Sequence, residues 1–386
     1  MSGGQSERTA LLPRTILDTR VHFIDNLRST LIALVIFHHA ALAFGGIGSW
    51  HYVSPFHPAE SSLILSIFVA INQTYFMGML FFLSGHFSAV SASRKTWAAF
   101  CVDKLKRLGI PMVVYTLLIH PLVLVIVWWS RHTPILPALS TYYRTLDGAR
   151  GPVWFLATLL LFDLIYVTVR KFLHPPTFLI PNSAARYRVT AAVCITTVIV
   201  GSYFMRLWHP VLGVRRPLPP LGLQLAYALQ YILAYIAGIC LSSIEKYLLV
   251  SHSGRALALA YLFATISLVV AVNLIPHAFR IEWPFSIFYA VWNELCFYFI
   301  GTALHSFFHD SAHTTKRWGN TARYSYGAYL MHALVIVSLQ ILVDTAGGPG
   351  LVYGLLKTIV VGTLGVIFSW AAAWLLIRIP GVAKIV

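Results

Sequence analysis

The chain has 386 residues, 58% of them hydrophobic and 10% charged, with a mean hydropathy of +0.75. So little charge excludes a soluble protein of this length, and apolar blocks long enough to cross a bilayer define a polytopic membrane protein. A formal charge of +16 would suit nucleic-acid binding, but no basic stretch is long enough for such a module; basic loops that set orientation and touch anionic headgroups of the lipid bilayer explain it better.

In chain order, residues 1–20 are polar, lack the apolar core of a signal peptide and read as a mobile cytoplasmic tail. Residues 21–386 read as one transmembrane domain with no internal repeat. Its fold class is all-α, a polytopic membrane bundle of about ten helices. The spans fall approximately at 27–45, 63–90, 110–130, 152–170, 188–206, 222–243, 256–275, 284–305, 324–343 and 351–377. The second is long enough to tilt strongly or project beyond the bilayer. Basic residues such as Arg94, Lys95, Lys106, Lys171, Arg188, Lys246 and Lys316 crowd the loops on the side of the N-terminus, and far fewer occupy the opposite loops. The positive-inside rule then places both termini in the cytoplasm.

The first span carries Arg28 and His39, eleven residues apart in LRSTLIALVIFHHA. That spacing is three helical turns plus about 20°, so the two side chains project from nearly one face, roughly 16 Å apart along the axis. Ionisable groups at such depth normally face a polar interior, a partner or a substrate path. Asp25 lies about 60° off that line and within reach of Arg28. With a cytoplasmic N-terminus, Arg28 stands at the entrance and His39 deep towards the far side. A neutral imidazole can take a proton from a hydroxyl and return it, so His39 is the candidate general base. The Arg28 guanidinium suits phosphate or carboxylate. The adjacent His38 points about 100° away and is the weaker candidate. A polar cluster that merely holds helices together is the competing reading of these residues.

Further along, MGMLFFLSGHFSAV (77–90) interrupts a bulky aromatic run with Ser84-Gly85. Small residues let a helix or a ligand approach the backbone, and packing alone accounts for the pair. KLKRLGIPMVVY (104–115) sets Lys104, Lys106 and Arg107 before a span opened by Pro111. Lys104 and Arg107 share a helix face and could grip a phosphorylated cosubstrate; ordinary positive-inside anchoring explains them equally. GPVWFLATLLLFDLIY (151–166) starts a span at Trp154 and places Asp163 inside it, where the carboxylate needs a partner or a polar cavity. SYGAYLMH (325–332) spaces Tyr326, Tyr329 and His332 three apart along one helix side. His332 could pair with an acid from another helix, such as Glu294, or be a hydrogen-bonded core residue. Asp25, Arg28 and His39 are thus the catalytic candidates, Lys104 and Arg107 the donor-binding candidates, and Ser84, Trp154, Glu294, Tyr329 and His332 the candidate substrate pocket.

There is no GxSxG elbow, HExxH, P-loop or dinucleotide fingerprint. The four cysteines are widely spaced, and His38-His39 puts two rings on different helix faces, so no metal site is expected.

Taken in order, IDNLRSTLIALVIFHH (24–39), FFLSGHFSA (81–89), KLKRLGIP (104–111), GPVWFLATLLLF (151–162) and SYGAYLMH (325–332) resemble acyltransferase family 3, the integral-membrane acyltransferases. Arg28 and His39 match the family's opening arginine, ten residues, then histidine. The nearest branch is that of bacterial glucan succinyl-transfer proteins. The resemblance implies about ten helices and transfer from cytoplasmic acyl-CoA, a cosubstrate rather than a bound cofactor, to a hydroxyl of a carbohydrate, lipid or small metabolite. It also implies that His39 is the essential histidine, Arg28 its partner, and Lys104 with Arg107 a donor-contact region. The chain departs from the pattern in carrying Lys104 at the first place of an arginine-rich motif, and His86 where an aromatic often follows Ser-Gly. A proton-coupled transporter using Arg28, His39, Asp163 and Glu294 is the competing class, weakened by the lack of a repeat.

Overall fold

The computed structural model describes residues 22–56, 62–146, 151–172, 181–211, 224–274, 283–345 and 351–385, without the side chains of 283–285 and 351. The tail expected over residues 1–20 lies outside the described residues.

Among the described residues, nine helices are long and apolar enough to cross a membrane, and a bent helix pair makes a tenth span. We number the helices α1 (His22–Ala43), α2 (Leu63–Ser93), α3 (Trp97–Ser130), α4 (Ile135–Thr145), α5 (Val153–Phe172), α6 (Ala184–Trp208), α7 (Leu225–Ile239), α8 (Leu241–Leu248), α9 (Ser253–Leu274), α10 (Trp283–Asp310), α11 (Thr321–Asp344) and α12 (Leu351–Leu376). The spans thus lie where length and apolarity put them. The exception in shape is the span expected over 222–243, which is α7 and α8 joined at a 99° bend.

Helix α1 is apolar on nearly all sides, and that pattern buries it at the centre of the bundle. Leu27, Leu31, Val35 and Ile36 are almost fully enclosed, and α2, α11, α12 and α10 pack around them. Lipid takes the opposite faces: α6, α9 and α12 present Val193, Leu259 and Ile359 outward. Helices α2 and α7 touch backbone to backbone, because a Cβ at Gly85 would strike the Tyr235 carbonyl and one at Gly238 the Phe82 carbonyl. The small residue beside Ser84 therefore serves helix approach, as small residues do in bilayers.

Helix α3 is not regular. Two wide turns, Leu105–Gly109 and Tyr115–Ile119, precede or overlap Pro111 and Pro121. Each proline lacks a donor and displaces the carbonyl four residues back, and such freed groups need partners where there is no water. The Tyr326 hydroxyl donates to the Arg107 carbonyl at 2.6 Å, and Tyr143 to that of Leu117 at 2.9 Å. A family-like motif on α11 is thereby tied to the basic segment of α3.

Three ion pairs inside the bundle tie helices to one another. Asp163 of α5 meets Lys104 of α3 at 2.8 Å, Glu294 of α10 meets Arg206 of α6 at 3.2 Å, and Asp344 of α11 meets Lys357 of α12 at 2.7 Å. Charges at this depth are tolerated when paired, and pairing fixes which helices are neighbours.

Candidate active site

A cavity of about 580 Å³ opens at the end of the bundle where α1 and α11 begin and α2 ends. Its wall carries Asp25, Arg28, Ser84, Lys104, Arg107 and Tyr329 of the residues singled out in the sequence, together with Arg317 and Arg323. Ile32, Leu80, Phe155 and Leu159 line its apolar part. The cavity is therefore cationic with a greasy flank, suited to a ligand with anionic and apolar ends.

The cations differ in how far they are already committed. Arg28 pairs with Asp25 at 3.2 Å, donates to the Ala322 carbonyl at 3.0 Å and lies over the Phe87 ring. Lys104 is 14% exposed; its ammonium meets Asp163 and donates to the Ser88 hydroxyl at 2.9 Å. The same Asp163 carboxylate accepts from Ser88 at 2.5 Å and Tyr235 at 2.6 Å. The partner that Asp163 requires is thus the lysine of the basic motif, held through the serine of SGHFS. Arg107 meets Asp103 at 3.2 Å, and Lys95 shares that carboxylate at 2.8 Å.

His39 lies farther along α1 and is not on the wall of this cavity. Its ring stacks on Trp50 with centroids 3.9 Å apart and lies 5.2 Å from the ring of His332 and 5.5 Å from that of His38. Trp50 donates through Nε1 to Gln340 at 3.1 Å, and Gln340 donates to the His39 carbonyl at 2.9 Å, so one glutamine fixes both stacked residues. The loop bearing Trp50 is pinned in turn, since Tyr52 and Ser54 both donate to Asp344, at 2.5 and 2.8 Å. Outside the spans, burial and the adjacent Asp344 carboxylate push the Tyr52 phenol well above its ordinary pKa, keeping it a donor. His332 Nδ1 is 2.5 Å from the Tyr329 carbonyl. A carbonyl only accepts, so Nδ1 carries the proton and Nε2 holds a free lone pair, buried without a hydrogen-bond partner.

Tyr329 connects the two regions. It lines the cavity, and its ring is 5.5 Å from that of His332. Asp25 belongs with Arg28, fourteen residues before His39 and about 21 Å from it along the helix. Trp154 stands in an aromatic cluster, stacked on Tyr231 at 5.7 Å and packed near Phe81 and Phe155, off the cavity wall. Glu294 is held by Arg206, Gln230, Asn293 and Ser202. Among the described residues no hydrogen bond or ion pair joins it to His332. Trp50, Gln340, Arg317 and Arg323 are not among the site residues that the sequence singles out; the two arginines count there only towards the positive-inside bias. The only signal available for Trp50 was a Trp-His-Tyr run in a short loop after the first span.

The site thus combines a basic, partly apolar cavity at one end of a buried helix with a histidine cluster farther along it, inside a multi-pass membrane bundle. The chain belongs to acyltransferase family 3: the family model described as an acyltransferase domain matches residues 21–378. Among curated proteins it is similar to glucans biosynthesis protein C of Escherichia coli strain K12, 30% identical over 156 residues. The protein of that name from Shigella dysenteriae serotype 1 matches to the same extent. The match covers 39% of this chain and 39% of each relative, so the chain spans about two fifths of the length of the curated relatives it matches. No solved structure matches.

Proposed function

We propose that the protein transfers an acyl group from acyl-CoA on the cytoplasmic side to a hydroxyl of a carbohydrate, lipid or small metabolite, with His39 as general base. The observation that carries this reading is the placement on one helix of a cationic cavity at Arg28 and a histidine about 16 Å deeper, joined by Tyr329 and His332. In the cavity, cationic groups suit the phosphates of the donor, and the apolar flank suits its pantetheine arm. That arm is long enough to carry the thioester from the cavity towards His39, on the side where Tyr329 lines the wall.

At His39 the acceptor hydroxyl gives its proton to the imidazole as its oxygen attacks the thioester carbonyl. Collapse of the tetrahedral intermediate breaks the C–S bond. The departing thiolate takes the proton back from the imidazolium, leaving an ester, free CoA thiol and neutral histidine. No covalent enzyme intermediate is needed. The stacked Trp50 packs against the ring of His39, and the Gln340 bond holds its backbone carbonyl, for this step. Among acceptors, the likeness to proteins named for glucan biosynthesis favours a carbohydrate.

Comparative mass spectrometry of glycans, lipids and small metabolites from cells with and without the gene tests the reading. An acyl mass increment should vanish with the gene and return with the wild-type copy. Unchanged acylation in every fraction, with substrate flux lost instead, would favour transport.

A further inference from the structure

Counting charges on the cavity wall suggests that Lys104 and Arg107 receive the donor, whereas counting ion pairs gives a different answer. Arg28 has Asp25, Lys104 has Asp163, and Arg107 has Asp103, each within 3.2 Å. A cation beside a carboxylate acts at a distance as a dipole, and its field fades quickly; a cation without one keeps its full field. Arg317 and Arg323, both on the wall, have no carboxylate partner among the described residues. Arg317 donates only to neutral groups of its own turn, the Gly319 carbonyl at 2.8 Å and the Asn320 side chain at 2.7 Å. Those bonds aim the guanidinium and leave its charge intact. The Arg323 guanidinium makes no hydrogen bond or ion pair with any described residue, and the residue is exposed.

The turn carrying Arg317 and the start of α11, which carries Arg323, are held firmly. Asn26 donates to the carbonyls of Thr314 and Lys316, each at 2.7 Å; Arg28 donates to that of Ala322 at 3.0 Å; Trp370 donates to that of Thr321 at 3.1 Å. Gly319 turns the chain at φ +56°, a conformation that suits glycine. A firmly held segment presenting two guanidinium groups that no described carboxylate neutralises is a preorganised receptor for a phosphomonoester dianion.

We propose that Arg317 and Arg323 form the seat of the donor's terminal phosphate, and that Arg28, through the Ala322 carbonyl, is a positioning residue for that seat. This rests on the acyl-CoA reading above and seats the terminal phosphate on residues other than Lys104 and Arg107. Of the phosphates of CoA, the 3′-phosphate is the monoester dianion. An anionic lipid headgroup shares this chemistry, so the source is set by the experiment.

The test is equilibrium binding of CoA and of 3′-dephospho-CoA to the full-length protein in neutral phosphatidylcholine vesicles, where headgroups carry no net charge, then in vesicles containing phosphatidic acid. CoA should bind roughly tenfold to a hundredfold more tightly than the dephospho form. Arg323→Gln and Arg317→Gln should each erase most of that difference by weakening CoA alone. Arg323→Lys, which keeps the charge and loses the fork, should fall between. Equal binding of the two ligands by wild type, or equal weakening of both by the variants, overturns the phosphate seat and leaves the acyl-CoA reading standing. Binding of neither overturns both. A CoA preference lost only when phosphatidic acid is present marks competition by headgroups for the same seat and supports it.

Discussion

Removing Lys104 should damage the fold before it damages donor use. Its ammonium is 14% exposed and faces an Asp163 carboxylate that is fully buried. Breaking a buried pair from one side leaves an uncompensated charge, at about 3–5 kcal/mol. Asp163 would keep its hydrogen bonds from Ser88 and Tyr235, so the lower end of that range, about 3 kcal/mol, is expected for Lys104→Met. In Lys104→Met/Asp163→Asn no charge is left buried, and the amide oxygen can still accept from Ser88 and Tyr235. The double variant should therefore recover most of the loss, a coupling of about 2 kcal/mol in the mutant cycle. The assay is denaturant unfolding in mixed micelles followed by tryptophan fluorescence, with CoA binding measured on the folded fraction. A Lys104→Met protein as stable as wild type but impaired in CoA binding would refute the reasoning, because the lysine would then be a ligand group and not a tie between α3 and α5.

Three other outcomes follow from the same geometry. Gly238→Leu should prevent folding, since any side chain there meets the Phe82 carbonyl; recovery of a monodisperse, thermally stable protein would contradict the close crossing of α2 and α7. Lys357→Met should loosen the Trp50 loop by stranding the buried Asp344 carboxylate, read as faster proteolysis of residues 44–56 than in Lys357→Met/Asp344→Asn; equal rates would separate that pair from the loop. Trp50→Ala should lower the acyl-transfer rate roughly twofold to tenfold through loss of the stack on His39, with Trp50→Phe close to wild type; an unchanged rate in Trp50→Ala would remove Trp50 as a positioning residue.

The spans were legible because the bilayer writes its thickness into the length and apolarity of each segment. The internal charges were legible as charges but not as pairs. Nothing local links Asp163 to Lys104, fifty-nine residues earlier, because a tertiary crossing brings them together. The Asp25–Arg28 contact could be read because one helical turn sets it. The bend between α7 and α8 was invisible to a hydropathy window, which averages over direction. Trp50 escaped notice because it sits on a loop with no periodicity to interpret. The donor seat we propose departs from Lys104 and Arg107 for one physical reason: a string of letters shows which side chains are cationic, while the field in a cavity depends on which of them already have a carboxylate.

The most direct measurement is acyl transfer by His39→Gln, folded and bound to CoA as wild type is, followed by mass of the acylated acceptor. The general-base account predicts a fall of about 10²- to 10⁴-fold in rate with CoA affinity preserved. Transfer at the wild-type rate would contradict it and shift attention to His332, whose buried Nε2 has no hydrogen-bond partner among the described residues.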